Sequence, residues 1–154
     1  MDIEIRVQAE PLDVAAEMAP VLATGPSVGG VVSFVGLMRD FNAGERVLGM
    51  TLEHYPGMTE KALAAVVDEA GRRWDLVAVR VVHRVGELHP QDPIVLVAVA
   101  SAHRGEAFRA AEFIMDYLKT RAPFWKRERT ADGGSRWVEA RASDAEAAAG
   151  WGKT

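Results

Sequence analysis

Residues 94–100 read Ile-Val-Leu-Val-Ala-Val-Ala, a run without a polar member. A strand that is apolar at every position offers no face to water, so it belongs at the centre of a sheet covered on both sides. It passes through Ser101-Ala102-His103-Arg104-Gly105 into residues 106–121, where Ala107, Ala111, Ile114, Met115 and Leu118 share one helical stripe. A strand that must be covered, followed at once by an amphipathic helix, calls for helices layered on a sheet.

The other segments supply the neighbours. Residues 3–7 alternate Ile3, Ile5 and Val7 against Glu4 and Arg6, a strand pattern. Pro11-Leu12-Asp13 opens a short helix to about residue 22, with proline tolerated in its first turn. Residues 29–36 (GGVVSFVG) form a strand rich in β-branched and aromatic residues, and the polar loop 39–45 lies at its end. Residues 47–55 are a further strand. Residues 58–74 are a helix whose Leu63, Val66, Val67, Ala70 and Trp74 keep the 3.6-residue period. A strand at 76–83 leads into the connection 85–90, and the strand 124–130 turns through Ala131-Asp132-Gly133-Gly134 into 136–138. The order implies an α+β single domain, its mixed, mainly antiparallel sheet packed by helices. The expected division is one catalytic domain, 1–141, and a tail, 142–154, rich in alanine and acids, that is a short helix or flexible.

Several function classes drop out. The chain has no cysteine, which removes disulfides, thiolate metal sites, thiol catalysis and any persulfide carried on a cysteine. A formal net charge of −4 argues against a general nucleic-acid binder, which needs a broad basic face. The sequence contains no apolar run of transmembrane length, and its first residues alternate and carry acids, unlike a signal peptide; a cytoplasmic protein away from membranes is expected. His54, His83, His89 and His103 lack metal-ligand spacing, so no metal is assigned. No P-loop or dinucleotide fingerprint is present, and no cofactor is expected. Ser33 and Ser101 lack a nucleophile-elbow context.

What remains is a concentration of cations. Residues 117–128 hold Lys119, Arg121, Lys126 and Arg127. Clustered cations raise each other's cost of carrying charge, and a partly neutral lysine amine serves as nucleophile or proton carrier. Pro123 divides the stretch, since the residue before a proline is pushed out of the α region. Lys119 therefore ends a helix, Lys126 begins an extended segment, and the two amines can converge. Arg39 follows one strand; His103 and Arg104 follow the central one and precede a helix N-terminus suited to an anion. Together these groups suit a phosphate-bearing substrate. The plainer readings are a solvated basic turn with an aromatic anchor, a backbone-bonded His103, an Arg39 paired only to Asp40, and structural roles for His54 and the pair His83-Arg84.

Larger blocks carry a resemblance. They are residues 30–36 (GVVSFVG) with Arg39-Asp40, 52–58 (LEHYPGM), 83–88 (HRVGEL), 101–104 (SAHR), the run 116–128 (DYLKTRAPFWKRE) and 136–141 (RWVEAR). In these blocks the chain resembles the large, catalytic subunit of molybdopterin synthase, the MoaE family, over nearly its whole length. Departures are minor: Leu37-Met38 before Arg39, and the last three residues.

The resemblance implies an α/β hammerhead-like fold and a sulfurtransferase of molybdenum cofactor biosynthesis. The substrate would be cyclic pyranopterin monophosphate. The sulfur donor would be a small ubiquitin-like carrier subunit ending in a Gly-Gly thiocarboxylate, and two sulfur additions would make the dithiolene of molybdopterin. It further implies a homodimer of large subunits, carrying two small subunits as a heterotetramer. Lys119 and Lys126 match the family's active-site lysines. Lys119 would lie nearest the thiocarboxylate, as acid/base or as a transient covalent amine, and Lys126 would orient substrate and stabilise developing negative charge. Arg39, His103 and Arg104 would hold phosphate and pterin, Arg127 and Glu128 would contact substrate, and Phe34 with Phe124-Trp125 would shape the walls. Arg141 would complete the neighbouring subunit's site. A chain that needs sulfur and owns no thiol must receive it from a partner. The alternative is a non-catalytic phosphate-ligand-binding or partner-docking module, though a degenerate subunit would be expected to have lost one of the two lysines.

Overall fold

The computed structural model describes residues 1–138 and 142–152. Within them the chain runs β1 (Asp2–Gln8), α1 (Val14–Leu22), β2 (Gly30–Leu37), β3 (Phe41–Asn42), β4 (Glu45–His54), α2 (Met58–Arg73), β5 (Leu76–Arg84), β6 (Gly86–Leu88), β7 (Pro93–Ser101), α3 (Arg104–Arg121), β8 (Phe124–Thr130), β9 (Ser135–Val138) and α4 (Ala142–Ala149). This is the α+β class expected, with each predicted strand and helix present to within a few residues. No helix among the described residues is long and apolar enough to cross a membrane.

The strands divide between two sheets. In the first the order is β1-β5-β7-β2, with β1 parallel to β5 and the other pairs antiparallel. Val95, Val97 and Val99 of β7 enter a core with Leu63, Val67, Phe113 and Ile114 of α2 and α3. Leu96, Ala98 and Ala100 point to the other face, against Val21, Leu12 and Met18 on the side of α1. This double cover is the physical reason that residues 94–100 contain no polar side chain.

The second sheet is antiparallel. β4 pairs with β8, β8 with β9, and the short β3 and β6 share the other edge of β4. Met38, Val47, Met50, Leu52 and Leu88 form its own small core. The division into two sheets, and the strands β3 and β6 inside segments that read as loops, go beyond what periodicity predicts. Strands of two and three residues are too short to show an alternation.

α3 stops where proline requires. Ala122 is extended at φ −82° and ψ 129° immediately before Pro123, and the chain turns into β8. Beyond α4, the Trp151 ring sits edge-on to Trp74 and Phe113, with centroids 5.6 and 5.5 Å away. Its Nε1 donates to Asp116 at 2.6 Å, and Arg73 donates to the carbonyls of Trp151 and Gly152 at 3.1 and 3.0 Å.

Candidate active site

A cleft of about 390 Å³ opens where the two sheets meet beyond the C-terminal end of α3. Its walls come from the end of β2 and the residues after it, from β4 and β8, and from the ends of β5, β7 and α3. Phe34, Arg39, Lys119, Lys126 and Glu128, all expected at the site, line it, and so does His83.

Each side chain is placed by its element. Lys119 stands in the last turn of α3. On β8 the residues alternate: Phe124, Lys126 and Glu128 face the cleft, while Trp125, Arg127 and Arg129 face away and are exposed. Lys126 is held in register between Leu52 of β4 and Val138 of β9. The hinge between the two lysines is pinned from a distance. The fully buried Thr59 hydroxyl donates to the Pro123 carbonyl at 3.0 Å and accepts from the Tyr55 N–H at 3.0 Å. Arg39 follows β2 on a segment fixed by backbone bonds, Met38 N–H to the Asp92 carbonyl at 3.0 Å and Val47 N–H to the Asp40 carbonyl at 2.7 Å. Phe34 is 43% exposed and its ring leans over Gly36; a Cβ there would lie 3.3 Å from the ring and 2.8 Å from Val95. Glycine at position 36 therefore leaves room for the Phe34 ring and for Val95, both of which a Cβ would crowd.

Two titratable groups in the wall have defined partners. Glu128 is 7% exposed, and its carboxylate accepts from Asn42 Nδ2 at 3.2 and 3.1 Å and from Arg136 Nε at 3.2 Å. It ties β3, β8 and β9 together, which gives it a scaffold role in addition to a place in the wall. His83 is 4% exposed, stacked on Phe124 with centroids 4.0 Å apart and planes 21° apart. Its Nδ1 is 2.7 Å from the Arg84 carbonyl oxygen. Burial holds the imidazole neutral, its pKa lowered to about 3, against the opposing effect of that carbonyl; the charges of Lys119 and Lys126 push the same way as burial.

Other expected residues are elsewhere. Arg127 lies on the opposite face of β8, its guanidinium 5.4 Å from the centre of the Trp137 ring. His103 caps and Arg104 opens the 18-residue α3, both exposed, so about 22 Å of helix axis separates Arg104 from Lys119. Arg141 lies outside the described residues. In the sequence His83 stands only as a structural candidate, and Asn42, Thr59 and Arg136 carry no pattern that marks them as parts of the site or its support. Their signal is three-dimensional: each is a polar residue that the fold buries or half-buries beside the cationic wall.

The family described as MoaE protein matches residues 7–121. A molybdopterin synthase catalytic subunit from Ralstonia nicotianae is 62% identical over 148 residues, covering 96% of this chain and 84% of that protein. The molybdopterin biosynthesis MoaE protein from Burkholderia ambifaria has a similar structure, with a TM-score of 0.83 at 52% identity, covering 100% of both chains. A complex of subunits 1 and 2 of molybdopterin-converting factor from Helicobacter pylori gives a TM-score of 0.70 at 19% identity, covering 90% of this chain and 91% of that one, a likeness of fold alone.

Proposed function

The chain belongs to the MoaE family and is an enzyme of molybdenum cofactor biosynthesis, a molybdopterin synthase catalytic subunit, and from that premise we propose that the cleft between the sheets is where sulfur is transferred. The substrate is cyclic pyranopterin monophosphate, and a small carrier subunit inserts its C-terminal thiocarboxylate, in the cytoplasm, with residues 1–141 as the catalytic unit. The observation that supports this most is the convergence of Arg39, Lys119 and Lys126, from three separate segments of the chain, on one cleft of about 390 Å³. A thiocarboxylate and a phosphate are both anions, and three cations around one volume hold both against each other's repulsion. Lys119, at the helix end, serves the reacting carbon by proton transfer or as a transient amine. Lys126, fixed in the sheet, stabilises negative charge as it develops. Phe34 and Phe124 supply flat apolar walls for the pterin.

His103, Arg104 and Arg141 serve the cleft of a second copy. Since about 22 Å of helix separates Arg104 from Lys119 in one chain, Arg104 and the cleft lysines cannot hold one small substrate unless two chains combine. A two-fold dimer makes such lending reciprocal.

The test is reconstitution with thiocarboxylated carrier and pterin precursor, reading dithiolene product. Lys119→Ala should fold, bind carrier and lose about 100- to 10,000-fold in turnover. Retention of more than roughly a tenth of wild-type turnover would leave less than about 1.4 kcal/mol of transition-state stabilisation missing, and the role would fall.

A further inference from the structure

His83 has no part in the reaction as set out above, yet it forms wall of the same cleft. On β5 it continues the face of Val79 and Val81, the face covered by α2 and α3, one step beyond the end of the apolar core. Its backbone is locked from both sides, opposite Val7 of β1 and Val95 of β7. Its ring is clamped by Phe124, the residue two before Lys126. The Arg84 carbonyl can only accept, so at 2.7 Å the imidazole must place its proton on Nδ1. Nε2 is then a bare lone pair on the remaining ring nitrogen of a side chain that borders the cleft. The charged and titratable groups acting on this ring are Lys119 from α3, Lys126 from β8 and His54 from β4, besides the neighbouring backbone of Arg84.

We propose that His83 is a positioning residue for Lys119, its Nε2 accepting a hydrogen bond from the lysine amine and aiming that amine at the reacting carbon. A neutral imidazole suits this task because it orients an ammonium without adding a competing negative charge that would hold the proton back. Burial keeps the ring neutral throughout the working range, so the acceptor does not switch off as the lysine exchanges its proton. The inference rests on the reading of Lys119 as the residue nearest the chemistry, and the test separates the two.

Asparagine reproduces the reach of Nδ1 and glutamine that of Nε2. His83→Asn should fold, bind carrier and substrate as the wild type does, and lose about 10- to 100-fold in kcat, the cost of a misplaced catalytic group. His83→Gln should restore most of that loss. A merely structural histidine predicts the reverse order, because asparagine is the one that keeps the bond to the Arg84 carbonyl. In a Lys119→Ala background, His83→Asn should cost nothing more, since its effect passes through the missing amine. Nitrogen NMR of the intact wild-type protein supplies a readout independent of the variants. It should show Nδ1 protonated and Nε2 not, with the Nε2 resonance moving in Lys119→Ala. An Nε2–H tautomer, wild-type kcat in His83→Asn, or additive losses in the double variant would overturn the proposal. If Lys119→Ala itself stays active, the functional reading fails; if Lys119→Ala is dead while His83→Asn is not, only the positioning role fails.

Discussion

At the scale of single residues, His83 and Glu128 meet burial in the same wall in different ways, one as a neutral base and the other through side-chain partners. Glu128 is matched by Arg136 and Asn42, so its charge is compensated. His83 is not compensated by charge, and its neutrality has a consequence for stability. Its folded pKa is lowered to about 3 from an ordinary 6.5, burial being the main cause. Below about pH 6.5 the unfolded chain therefore binds a proton that the folded chain refuses until about pH 3. Stability should fall as pH drops through that window, by at most about 1.4 kcal/mol per pH unit from this group. Denaturant titrations of wild type and His83→Gln from pH 7.5 down to 4.5 check this. The wild type should show the steeper loss; parallel curves would mean the histidine is protonated in the fold.

At the scale of elements, the site is a property of the α3–turn–β8 unit, and here much was legible. Pro123 announced both the end of α3 and the separation of the lysines onto two elements. The alternation of Lys126, Arg127 and Glu128 was also readable, but which face looked inward was not, because all three are charged and period alone cannot rank them. The resemblance groups Arg127 with Glu128 as a substrate contact, whereas the structure turns its side chain away from its own chain's cleft, toward Trp137. The cross-link that holds the unit was invisible in sequence, since nothing local connects Thr59 to Pro123. Thr59→Val keeps the shape and removes the hydroxyl, leaving the Tyr55 N–H and the Pro123 carbonyl without their partner. Stability should fall by about 1–3 kcal/mol, the usual cost of stranding buried polar groups. An unchanged urea midpoint would show that the turn is held by other contacts. β3 escaped notice for a related reason: its two residues earn their conformation from pairing with β4, and Asn42 becomes important only once Glu128 lies across from it.

At the scale of the whole molecule, α3 separates two groups of expected residues, Phe34, Arg39, Lys119, Lys126 and Glu128 at the cleft and His103 with Arg104 at the far end of the helix. Mixed dimers test whether the far set serves a neighbour. Lys119→Ala and Arg104→Ala chains are each made alone, and each should be weak. In a hetero dimer the Arg104→Ala chain keeps its own Lys119 and receives an intact Arg104, so one of its two clefts is whole. Random mixing makes about half the dimers hetero, and about a quarter of all clefts should recover. No recovery on mixing, or full activity of Arg104→Ala alone, would remove the arrangement. If it holds, α3 is a spacer whose two ends are read by different substrates, and its length becomes a heritable constraint. One inserted residue within it would advance Lys119 by about 1.5 Å and swing it by about 100° around the axis, spoiling two clefts at a stroke. The hairpin tip at 131–134 is exposed and sets no distance between Lys119 and Arg104. Insertions and deletions that survive in this lineage should therefore collect at that tip and leave the spacer untouched.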